Sequence, residues 1–134
     1  MTLEVLIVED DEILVLIHES WVKKSLISVN PISFFNGKAA LDYFLNNHKK
    51  DKQYLILLDL NMPVMDGWDF LENISNYEFA EQIHVVIVSS STTLKDKEKA
   101  TTYKNVIAFI EKPINMESCN RIKSLSRIAS YFSN

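Results

Sequence analysis

Strand-length apolar runs, each followed by a stretch with helical spacing, constrain this chain more than any other feature. Four runs stand out: LEVLIV (3–8), YLILLDL (54–60), IHVVIV (83–88) and VIAFI (106–110), with a shorter fifth, ISFF (32–35). They are rich in Val, Ile and Leu, and most show no polar alternation. That is the composition of strands covered on both faces, as parallel sheets are built. Ile13, Leu14, Ile17 and Trp21 fall on one face of a first helix; Ala40, Leu41, Phe44 and Leu45 do so on a second, and Phe70, Leu71 and Ile74 on a third. The mostly charged stretch 93–103 predicts an exposed fourth helix capped by Thr92 or Thr93, and Ile122, Leu125, Ala129 and Phe132 predict a last amphipathic helix. Right-handed crossovers make of this order a flavodoxin-like, doubly wound α/β fold, a five-stranded parallel sheet with strand order 2-1-3-4-5.

With 134 residues, 47% hydrophobic and 24% charged, the expectation is a single domain over 1–134 with a real core. Net charge is −4 and no basic block occurs, so nucleic acid is not an expected direct partner. The one cysteine, Cys119, cannot form an internal disulfide, and its surroundings suit packing better than reactivity. No signal peptide and no apolar run of membrane-spanning length is apparent, so the expected location is the cytoplasm.

In such a sheet, chemistry gathers outside the carboxyl ends of the strands. Strand 1 ends in Glu9, Asp10 and Asp11; strand 3 ends at Asp59; strand 4 runs into Ser89; and strand 5 leads to Lys112 and Pro113. Carboxylates crowded in this way repel one another, and a hard cation that takes oxygen ligands and keeps its waters, such as Mg²⁺, relieves that repulsion. With Lys112 opposite, the pocket suits a transferring phosphoryl group. Only Gly37 and Gly67 occur, so there is no glycine-rich phosphate cradle. His18, His48 and His84 have no ligand spacing, and Trp21, Trp68, Met62 and Met65 read as packing residues.

VLIVEDDE, LLDLNMPVMDGWDFL, VVIVSSS and FIEKP stand in the order and at the spacings of a response regulator receiver domain, and the chain resembles that family along essentially its whole length. The likeness is to the stand-alone type, such as the chemotaxis response regulator. The resemblance implies that Asp59 is the phosphoacceptor for a sensor histidine kinase or a histidine phosphotransfer protein. It further implies Mg²⁺ held by Asp10, Asp59 and the backbone carbonyl of Asn61, with Glu9 acting through water. Lys112 would pair with Asp59 and then with phosphoryl oxygens, Ser89 would be the switch hydroxyl, and Phe109 the switch aromatic. A cis peptide before Pro113 is implied too. The signal would leave through the face of helix 4, strand 5 and helix 5, where Lys95, Lys99, Lys104, Glu111 and Met116 lie, to an effector protein. Departures are Glu9 where many members carry Asp, Ser89 where many carry Thr, and Phe109 in place of Tyr.

On this reading the protein is a switch and not a conventional enzyme. Two alternatives stand beside it. A phosphohydrolase of the haloacid-dehalogenase type would need a second Asp two residues past the nucleophile, where this chain has Asn61. A receiver-like adaptor that works without phosphorylation tends to lack an acid or the lysine.

Overall fold

The computed structural model describes residues 2–91 and 93–132. Its elements run β1 (Thr2–Val8), α1 (Glu12–Lys24), β2 (Ile32–Phe34), α2 (Gly37–Asn47), β3 (Lys52–Leu58), α3 (Gly67–Ile74), β4 (Ile83–Ser89), α4 (Leu94–Ala100), β5 (Val106–Glu111) and α5 (Met116–Lys123), with short 3-10 turns at Glu78–Gln82 and Ala129–Tyr131. The strands form one parallel sheet in the order β2-β1-β3-β4-β5, as the alternation predicts. Pairing of β1 with β3 runs from Thr2–Lys52 to Val8–Leu58, so Glu9 and Asp59 leave the sheet side by side.

The sheet separates two apolar layers. One buries Ala40, Leu41 and Phe44 of α2, Phe70, Leu71 and Ile74 of α3, and Ala100 of α4 against the sheet. The other buries Val22 of α1 and Cys119 and Ile122 of α5. Both faces of the central strands are thus dry, which accounts for their uninterrupted apolar sequence. None of the helices among the described residues is long and apolar enough to cross a membrane.

Three local expectations change. In α1 the buried positions are Val15, His18 and Val22, while Ile13 is 70% exposed. The fourth helix covers only Leu94–Ala100; Thr93 caps it, its side chain accepting the Asp96 N–H, and Thr92 lies outside the described residues. The last helix stops at Lys123 with Ser124 as its C-cap, and the chain then turns so that Ile128 packs fully buried. Lys123 Nζ donates to the Ser25 carbonyl at 2.7 Å and Arg127 to that of Lys104 at 2.7 Å, ties that fold this segment back on the body.

Candidate functional site

Backbone bonds fix the strand tips before any side chain is considered. The Glu9 N–H donates to the Phe34 carbonyl (3.0 Å), that of Asp59 to Val8 (2.9 Å) and that of Lys112 to Ser89 (3.0 Å). The strand β3 gives way at Asp59 to a tight turn in which the Gly67 N–H donates to the Leu60 carbonyl at 2.9 Å. A Cβ at Gly67 would lie 2.4 Å from the Asp59 carbonyl oxygen and 2.8 Å from Leu60 Cα. The turn that presents Asp59 therefore closes only over a residue without a side chain. On its far side the chain passes through Val64, a β-branched residue at φ 69°.

Glu9 and Asp59 are each 2% exposed, and Lys112 reaches both. Its Nζ lies 2.8 Å from Glu9 Oε1 and 3.1 Å from Asp59 Oδ1. Glu9 Oε2 accepts the Asp11 N–H at 3.1 Å, and the Asn61 N–H approaches Asp59 Oδ1 at 3.4 Å. Asp59 Oδ2 is buried with no hydrogen-bond partner among the described residues. The Lys112–Pro113 peptide is cis.

Burial pushes the Glu9 carboxyl up to about 7, with the Asp59 charge adding to the rise and Lys112 and the Asp11 N–H opposing it. For Lys112 burial disfavours the charge, yet its two carboxylate partners outweigh that cost and its pKa stands above the ordinary lysine value.

Glu9, Asp10 and Asp59 each offer an oxygen, and these atoms lie within 4.8 Å of one another. An all-oxygen set that includes one exposed carboxylate, Asp10, fits a hard cation that keeps part of its hydration shell. Both Glu9 oxygens already have hydrogen-bond partners.

Ser89, fully buried at the tip of β4, accepts the Ser91 N–H on its Oγ at 3.1 Å. Phe109 is half-buried on β5 and packs against the layer of α2, α3 and α4. The fold thus gathers Glu9, Asp10, Asp59, Asn61 and Lys112 at one edge, with Ser89 at the tip of the neighbouring strand. The sequence offers His18 only as a histidine without ligand spacing. It is 1% exposed on α1, its Nε2 has no partner among the described residues, and burial together with the Lys112 charge pushes its pKa down to about 4.

The response regulator receiver domain family model matches residues 5–122. The probable methanogenesis regulatory protein FilR2 of Methanothrix harundinacea is 37% identical over 90 residues, which are 64% of this chain and 56% of that protein. The aerobic respiration control sensor protein ArcB of Escherichia coli is 33% identical over 97 residues, 72% of this chain and 12% of that one. The chain thus spans about half, or much less, of the length of these relatives. The crystal structure of a two-component response regulator from Cytophaga hutchinsonii superimposes with a TM-score of 0.81 at 20% identity, covering 96% of this chain and 97% of that one.

Proposed function

The chain belongs to the response regulator receiver domain family, and from that premise we propose that Asp59 accepts a phosphoryl group from a histidine of a sensor kinase or phosphotransfer protein. The carrying observation is the asymmetry of the Asp59 carboxylate, whose Oδ1 is held by Lys112 while its buried Oδ2 has no hydrogen-bond partner among the described residues. One oxygen is anchored and the other is left for chemistry. Oδ2 would attack phosphorus as the N–P bond of the donor breaks. The imidazole, protonated on its other nitrogen in the donor, departs as the neutral ring and an acyl phosphate is left on Asp59. Lys112, already charged, then pairs with phosphoryl oxygens in place of the carboxylate it now holds. Mg²⁺ held by Asp10, Asp59 and the Asn61 carbonyl, with Glu9 through water, would neutralise charge on the phosphoryl oxygens.

Exposed Ile13 and Leu16 on α1, 70% and 67% exposed, offer an apolar footing beside the site for the donor. Output is assigned to the face of α4, β5 and α5. There Lys95, Lys99, Lys104, Glu111 and Met116 are exposed, and Val106–Phe109 are only half-buried where β4 is fully buried. Formation of the acyl phosphate would draw the Ser89 hydroxyl toward Asp59 and let Phe109 turn inward, changing that face.

Acetyl phosphate with Mg²⁺ is expected to add one hydroxylamine-labile phosphoryl group, read by intact mass, and Asp59→Asn to remove it. Equal labelling of the variant, or none of the wild type, overturns the assignment.

A further inference from the structure

Helix α4 is held to the body in an unusual way. Of its residues only Ala100 is buried, and Leu94 is 70% exposed. Apolar packing therefore anchors it weakly, and polar ties do the rest. At its end, Lys99 Nζ lies 4.4 Å from the centroid of the Trp68 ring on α3; Tyr103 stacks on the same ring at 6.1 Å, and its hydroxyl donates to Glu72 at 3.2 Å. At its start, Ser91 Oγ donates to Asp96 Oδ2 at 2.8 Å, a charge-assisted bond, while the Asp96 N–H donates to Thr93 Oγ1 at 3.3 Å.

Ser91 also faces the other way. Its N–H donates to Ser89 Oγ at 3.1 Å. Ser91 thus joins the two, its hydroxyl bonded to a carboxylate on α4 and its backbone N–H to the buried hydroxyl at the tip of β4. Ser89 can move toward Asp59 only by leaving the Ser91 N–H or by drawing the turn along. The turn cannot follow while Ser91 is fastened to Asp96, unless α4 comes with it.

We propose that Asp96 is a positioning residue for the Ser89 hydroxyl, acting through Ser91 and holding it in the resting place. This rests on the reading of Asp59 as phosphoacceptor. Loss of the Ser91–Asp96 bond removes a constraint present only before activation, so the activated state becomes easier to reach. The cost of activation is set in the first turn of α4, outside the acidic pocket.

The test uses the full chain with Trp21→Phe, so that Trp68, under the Lys99 ammonium, reports α4 by fluorescence while beryllofluoride, a phosphoryl mimic, is titrated with Mg²⁺. Asp96→Ala and Ser91→Ala are each expected to tighten beryllofluoride binding about tenfold, the scale set by one charge-assisted hydrogen bond. The double variant should bind no tighter than either single one, and Asp96→Asn, which keeps a neutral acceptor, should fall between. In a Ser89→Ala background Asp96→Ala should change nothing, whereas mere loosening of α4 would act there too. Unchanged affinity in Asp96→Ala and Ser91→Ala, or equal tightening with and without Ser89, overturns the proposal while leaving the phosphoacceptor reading intact. A wild-type response that survives Asp59→Asn, or none in the wild type, overturns both.

Discussion

Lys112 is paired more closely with Glu9, at 2.8 Å, than with Asp59, at 3.1 Å. One ammonium thus serves two buried carboxylates, and its removal leaves both without an ion-pair partner among the described residues. Lys112→Met is expected to cost about 3 kcal/mol at pH 8 without divalent cation, the scale of a broken buried pair. At pH 6 the loss should be smaller, because Glu9, with a pKa of about 7, then carries a proton. Urea unfolding at the two pH values checks both the size and the trend.

Gly67→Ala should be among the most damaging single-methyl additions to the chain. The new Cβ meets backbone atoms of Asp59 and Leu60, which cannot rotate away as a side chain would. A loss of about 2–4 kcal/mol is expected, on the scale of core overpacking and above. Beryllofluoride affinity should fall with it, since the turn that yields is the one presenting Asp59.

His18 governs part of the acid sensitivity. Its pKa is lowered to about 4 in the folded chain and returns to about 6.5 on unfolding. The unfolded state therefore binds more protons between those values, and stability falls as pH drops from 6.5 toward 4. The shift is worth up to about 3 kcal/mol. Glu9, with its raised pKa, works in the opposite direction over 7 to 4.5, so the comparison is between wild type and His18→Leu, in which the Glu9 contribution is common. The stability difference between the two should grow in favour of the variant as pH is lowered from 7 to 4.5, measured by urea unfolding at each pH.

Val64 combines φ 69° with 79% exposure, so its side chain gains little from the fold while its β-branch opposes the backbone. Val64→Asn, which enters this region more readily, should raise stability by about 0.5–1 kcal/mol. The midpoint of urea unfolding reads this directly, and a fall in the midpoint would mean that Val64 makes a contact that offsets the strain.

The sheet order and the convergence of Glu9, Asp10, Asp59 and Lys112 were legible because a strand buried on both faces must be apolar until its tip, where polarity returns. The buried face of α1 was not. Its outward side carries Ile13 and Leu16, so apolar spacing offered two candidate faces, and the polar His18 did not count toward the inner one. The bend after Lys123 was hidden in the same way, since Leu125, Ala129 and Phe132 keep helical spacing while the chain turns. The line from Ser89 to Asp96 left no trace in composition, because serines and one aspartate in a turn say nothing about where their hydroxyls point.

That α4 commits a single side chain, Ala100, to the interior has a consequence for descent. Positions such as Leu94, Lys95, Lys97 and Glu98 carry almost no folding constraint, so lineages can rewrite them one at a time without a stability threshold in the way. With output assigned to this face as proposed above, a duplicated gene could acquire a new recipient there while the sheet and the acid pocket stay as they are. The helix that is held most loosely is the one on which a new address is most easily written.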